Sequence, residues 1–240
     1  MKLLNISEYY NFSGLRRRLA GTTLLFWLLT SVSCLLLLIS CAAPKLAEKP
    51  SHRGTSLNDA LSQYRKISSI STVVGLDYEK NDVIMSGDAS LSVSPDKLSL
   101  RIYYLGFLQG EVYEENGKIK SKPKLDKNKS LILVEGLKSS LFWWNITDYT
   151  VTETADAYEL RNGYRRVVVN KESLLPVEQT IELENGDTIA ISYDTPSRII
   201  SEDGKETLDN SPLSWYQSRV RIQLKNYIVR INVKSYSLTR

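Results

Sequence analysis

The chain has 240 residues, 42% hydrophobic and 24% charged, with two cysteines, one histidine and a formal net charge of +4. A chain of this length can bury a core without disulfides or a structural metal, and one globular domain is expected. The excess charge is no sign of nucleic-acid binding: Lys2, Arg16, Arg17 and Arg18 stand against Glu8 alone in residues 1–40, and the remainder carries only +1.

Those N-terminal cations precede an uncharged run from Leu19 to Ser40, the charged-then-apolar order of an export signal. At about 1.5 Å per helical residue the run is long enough to cross a hydrocarbon core of about 30 Å, so its length also fits a permanent anchor. Its end, Leu38-Ile39-Ser40-Cys41, resembles the lipobox of bacterial lipoprotein signals, with an aliphatic residue three before the cysteine and a small one directly before it. The resemblance implies cleavage before Cys41 and acylation of its sulfur. Cys34 has Ser31 at the aliphatic position and is followed by Leu35–Leu38, so it is not read as a lipid site. Residues 1–40 are therefore expected to be a signal peptide, 41–55 a lipidated cysteine with a flexible tether, and 56–240 a single domain. Cleaved or not, residues 41–240 are expected outside the cytoplasm.

The tether reading rests on "AAPKLAEKPSHRGT", residues 42–55, which is polar, holds Pro44, Pro50 and Gly54, and lacks an apolar period. "SLNDALSQYRKI" follows, with Ser56 placed to cap a helix and Leu57, Ala60, Leu61, Tyr64 and Ile67 at helical spacing. From Val73 the period becomes two: Ala89, Leu91 and Val93; Leu98, Leu100, Ile102 and Tyr104; Val177, Gln179, Ile181 and Leu183; Ile189, Ile191 and Tyr193; Val220, Ile222 and Leu224; Tyr227, Val229, Ile231 and Val233. Turns with Gly after Asn or Asp at 115–117, 161–163, 184–186 and 202–204 make neighbouring strands antiparallel.

One segment breaks this alternation. "KSLILVEGLKSSLFWWNI", residues 129–146, spaces Leu131, Val134, Leu137, Leu141 and Trp144 by three and four, and Ile132, Leu133, Phe142 and Trp143 widen the stripe. A helix apolar on nearly every side needs a cover, and a curved sheet is the partner the rest of the chain supplies. The expected fold is mainly β: an unclosed antiparallel half-barrel of about 9–11 strands with helices as a lid or plug in its concave face.

Catalytic chemistry finds little material. His52 is the only histidine and lies in the tether stretch, and loss of both thiols to processing leaves no cysteine for zinc. Glu111, Glu114 and Glu115, and Glu178, Glu182 and Glu184, alternate with apolar residues or lie in turns, which reads as solvated surface rather than an acid–base pair. The glycines stand singly at turns, so no phosphate-binding loop is present. No catalytic residue, cofactor or metal ligand is expected, and the protein is read as a non-enzyme.

The order of a lipidated N-terminus, one helix, antiparallel strands, an apolar mid-chain helix and a closing strand pair introduced by proline resembles the LolA/LolB family of lipoprotein carriers and receptors, more closely its LolB type. "KLSLRIYYLGFLQGEVYEENGK" and "SPLSWYQSRVRIQLKNYIVRINVK" carry it best. The resemblance implies an apolar cavity for acyl chains of lipoproteins or lipids, with Leu133, Leu137, Leu141, Phe142 and Trp144 in its helical lid. It also implies a membrane-touching tip at Leu105, Gly106, Phe107 and Leu108, although this chain has Tyr104 where the family has proline. The alternative reading of Leu105, Phe107 and Leu108 is the continuation of a buried strand, but the glycines at 106 and 110 favour a bend. Implied partners are acylated lipoproteins or lipids, a periplasmic carrier protein and the membrane through the lipid anchor, with no nucleic acid and a monomeric state. Ala42, where an aspartate would signal inner-membrane retention, implies outer-membrane placement with the domain facing the periplasm. The alternative function is a non-transport envelope lipoprotein that uses the half-barrel for docking or sensing. Cys41→Ser is expected to abolish incorporation of labelled acyl chains and lipoprotein-type cleavage, read by metabolic labelling and precursor size.

Overall fold

The computed structural model describes residues 50–52, 54–199 and 211–240. The signal segment 1–40, Cys41, most of the tether and the 202–204 turn lie outside the described residues. Of the tether, Pro50 and His52 are buried, and the His52 N–H donates to the Glu172 carbonyl at 2.8 Å. The polar stretch is thus already docked on the domain at Pro50.

Helix α1 (Leu57–Tyr64) begins where Ser56 accepts the Asp59 N–H at 3.1 Å, and it buries Leu57, Ala60, Leu61 and Tyr64. Five strands follow in a meander: β1 (Ser69–Lys80), β2 (Val83–Ser94), β3 (Lys97–Tyr104), β4 (Phe107–Glu115) and β5 (Lys118–Lys122). A helical segment over 127–141 then leads to β6 (Thr150–Glu153), β7 (Ala157–Arg161), β8 (Arg165–Asn170), β9 (Pro176–Glu182), β10 (Thr188–Arg198), β11 (Trp215–Leu224) and β12 (Tyr227–Thr239).

All twelve strands join one antiparallel sheet in the order β5-β4-β3-β2-β1-β12-β11-β10-β9-β8-β7-β6. The two meanders meet where β1 pairs with β12, and the sheet ends at β5 and β6, which do not pair with each other. This is the expected unclosed half-barrel with a helical lid. It has one strand beyond the expected range because β5 and β6 are short and almost wholly exposed, leaving no buried alternation to read.

The helical segment is three pieces in one run: α2 (Lys127–Leu131), a π-helical turn (Ile132–Gly136) and α3 (Leu137–Leu141). Asp126 caps it, accepting the Lys129 N–H at 2.8 Å. Burial rises along it: α2 has no buried residue, whereas Ile132, Leu133, Val134 and Leu137 are fully buried against the sheet, each stabilising the fold by about 1.5–3 kcal/mol. The π turn packs on β10, β11 and β12, and α3 on β2 and β11. Contact is closest at Gly136, where an added Cβ would lie 2.7 Å from Ile222 Cγ2.

Alanine is about 1 kcal/mol better than glycine inside a helix, whereas overpacking a core costs about 1–3 kcal/mol. Gly136→Ala is therefore expected to destabilise the domain in urea unfolding. In an Ile222→Ala background, where the obstructing methyl is gone, the same substitution should become neutral or stabilising.

Candidate functional site

The two ends of the half-barrel interior differ. At one end, where β11 begins and β12 finishes, aromatic rings fill the space. Tyr64 stacks on Trp144 with centroids 4.7 Å apart and meets Trp143 edge-on at 5.0 Å, while Tyr216 stacks on Tyr236 at 4.5 Å. About 20 Å³ of space remains between them. Tyr64 donates to the Pro212 carbonyl at 3.0 Å and Tyr193 to the Ser140 carbonyl at 3.2 Å, and burial pushes both phenols above the ordinary tyrosine value.

At the other end the interior is open. A cavity of about 630 Å³ lies between β1–β5 and the start of the helical segment, with Leu76, Ile102, Val112, Leu125 and Leu133 among its walls. That volume falls in the range of about 300–1,000 Å³ common for small-molecule sites. Antiparallel order puts the β1–β2 turn, the β3–β4 turn, the end of β5 and the N-terminus of the helical segment at this same end. Gly87 lines the cavity because nothing larger fits: an added Cβ would sit 2.5 Å from the Tyr103 carbonyl oxygen.

The mouth of the cavity is unusually apolar. Val83, Ile84 and Met85 at the start of β2 are 65%, 58% and 53% exposed, and Leu105 and Phe107 in the β3–β4 hairpin are 79% and 72% exposed. Tyr104 and Leu108 are exposed beside them. Tyr104 pairs with Phe107, so Leu105 and Gly106 form a two-residue turn with φ of 50° and 82°. Such a turn suits Asn-Gly, and a leucine there is conformationally unfavourable. The β4–β5 turn does use Asn116-Gly117, and the β1–β2 turn uses Asn81 and Asp82. The buried-strand reading of Leu105, Phe107 and Leu108 does not hold, because the strands have run past the helix that would cover them.

The five residues read as one lid do not line one cavity. Leu133 faces the open cavity, Leu141 and Trp144 border the filled aromatic end, Phe142 borders a separate pocket beside Arg165, and Leu137 is fully buried in the core. Two polar attachments at the lid also escaped the sequence reading. Glu114, taken for a surface carboxylate, is buried: it accepts from Lys138 Nζ at 2.7 Å and from the Gly117 N–H at 2.7 Å, tying the lid to β4 and the β4–β5 turn. Arg165 is buried with no carboxylate partner among the described residues. Its Nε and Nη2 donate to Gln179 Oε1 at 3.0 and 2.7 Å, Nη1 to the Asn145 carbonyl at 2.7 Å, and Nη2 also to the Trp143 carbonyl at 3.2 Å. Burial lowers its pKa, and the negative end of the helical segment supplies the compensation a carboxylate usually gives. The sequence signal was a polar residue, Gln179, at an inward position of an otherwise apolar β9 alternation. A bulge between β8 and β9 turns Val177 outward instead. Among the described residues no group of three or more His, Cys, Asp or Glu side chains is placed to hold a metal.

A solved structure of a LolA superfamily protein from Nitrosomonas europaea matches over 78% of this chain and 95% of its own, with a TM-score of 0.50 and 11% identity. The fold is LolA-like. Lower TM-scores relate it to a DUF1329 family protein from Desulfovibrio piger (0.44, 11% identity, 80% of this chain and 94% of that one) and to an outer membrane lipoprotein-sorting protein domain from Vibrio parahaemolyticus (0.40, 13%, 77% and 94%). No sequence-family model and no curated protein matches the chain. Within this LolA-like fold the lid is held at Arg165, and Arg165→Met would leave at least two buried acceptors unpaired at about 1–3 kcal/mol each. The expected loss is about 2–4 kcal/mol in urea unfolding. Arg165→Lys should recover only part of it, since one ammonium cannot reach Gln179 and the Asn145 carbonyl together.

Proposed function

We propose that the protein is a lipid-anchored envelope protein of the LolB type, tethered to the outer membrane through Cys41 with its domain in the periplasm. Its open cavity takes acyl chains of lipoproteins or lipids, delivered by a periplasmic carrier, and its apolar mouth helps insert them into the membrane. The protein is a monomeric binding module rather than an enzyme. The observation that carries this reading is the coincidence of an open apolar cavity with two exposed apolar hairpin ends at the same end of the sheet. The LolA-like fold supports it.

Exposed apolar side chains at a turn do nothing for folding, and Leu105 adds backbone strain to exposure. In a membrane each side chain would contribute about 1.5–3 kcal/mol, enough to orient the mouth but far from enough to anchor the domain. Anchoring belongs to the lipid on Cys41.

A fluorescent fatty acid is expected to bind saturably, and absence of saturable binding would remove the transport reading. Leu105→Asn, which suits the turn, should keep or raise the melting temperature while slowing transfer of bound lipid into vesicles. Leu105→Glu should slow transfer further. A fall in melting temperature with Leu105→Asn would show that the side chain is structural and the tip assignment wrong.

A further inference from the structure

We infer that the cavity ligand carries an anionic head, received by Lys129 at the cavity wall; this rests on the acyl-binding reading above and narrows it to acidic amphiphiles. Lys129 is half-buried on α2 and lines the cavity, with Nζ 4.4 Å from the centroid of the Tyr78 ring. Tyr78 is also a wall residue, and its phenol is pushed up to about 12 chiefly by burial, so it stays neutral and balances no charge. Lys129 forms no ion pair among the described residues; Asp126, which also acts on Tyr78, meets it at the backbone, with Oδ1 accepting the Lys129 N–H at 2.8 Å. The one carboxylate residue among those lining the cavity, Glu111, is held from the strand's outer side by Arg101 at 3.2 Å and the Tyr113 hydroxyl at 2.9 Å.

The surroundings have the same sign. Between residues 118 and 129 stand Lys118, Lys120, Lys122, Lys124, Lys127 and Lys129 against Asp126 alone, and Lys122 also borders the cavity. Lysines on an exposed edge strand serve to block edge-to-edge pairing, which accounts for 118, 120 and 122 on β5. That explanation does not reach Lys129, which is on a helix and faces a cavity. Desolvating an ammonium without an ion-pair partner is costly, and a carboxylate or phosphate on a bound acyl chain would supply one through a charge-assisted hydrogen bond while the chain follows the apolar wall past Leu133.

The full chain, purified in mild detergent and moved to nanodiscs, is titrated with three fluorescent probes of equal chain length: a fatty acid, a lysophosphatidate and the fatty alcohol. Partition into protein-free nanodiscs is subtracted. The acidic probes should bind about tenfold or more tightly than the alcohol, and the order of the two separates a carboxylate from a phosphate head. Lys129→Gln should bring the acid-to-alcohol ratio to near one, Lys129→Arg should keep it, and Lys118→Gln on the outer edge should leave it unchanged. Equal affinity for all three probes, or an acid preference that survives Lys129→Gln, would overturn the inference while the acyl-chain reading stands. Absence of saturable binding by any probe would overturn both.

Discussion

Everything in this domain depends on a helical segment that water cannot solvate lying in a sheet that cannot close. The edge strands β5 and β6 do not pair with each other, and the chain between them supplies the apolar bulk that the inward faces of the strands require. Neither part is stable without the other: the sheet would expose its concave face, and a segment with Ile132, Leu133, Val134 and Leu137 all buried would be left greasy on every side. Because one short segment must serve a wide sheet, its fit is unequal. Its C-terminal half is pressed against β11 at Gly136 and held by Arg165 and Glu114, whereas its first turn has no buried residue and borders empty space. The same asymmetry that leaves a cavity makes α2 the part of the lid with least to lose by moving.

Much of this architecture can be read from residue pattern alone. Period-two runs such as Ala89-Leu91-Val93 and Val229-Ile231-Val233 have one buried face because a sheet with a single core side imposes it. Turns with Asn-Gly announce themselves. The β1–β2 and β11–β12 turns do not, since Asn81, Asp82 and Lys225 adopt positive φ without a glycine. Strands β5 and β6 are held by backbone pairing at the sheet margins, where side chains need satisfy no core. The pairs Arg165–Gln179 and Glu114–Lys138 join residues distant in sequence, so each partner looks like an ordinary surface residue until the fold brings the other to it.

The site was legible only in part, for a different reason. That the interior would be apolar followed from composition of the strands and helix. Whether rings would fill it depended on how Tyr64, Trp143 and Trp144 stack, a three-dimensional outcome with no one-dimensional signature. Hence the lid residues divide among separate environments. The hairpin at Leu105 is the converse: apolar residues there looked like strand, and only the end of their cover exposes them.

The pairing of β1 with β12 has a consequence in time. These strands align from Ser69 opposite Thr239 to Lys80 opposite Tyr227, so β1, paired with β2 on one side, meets its second partner only across the length of the domain. A ribosome releases the chain from its N-terminus, so the two meanders cannot begin to join until Tyr227, opposite Lys80, has emerged. Contacts this distant in sequence are slow to form and leave strand edges open meanwhile. Until β12 has emerged, the first meander lacks the other half of the sheet, and the free edge of β1 is the part most open to wrong pairing.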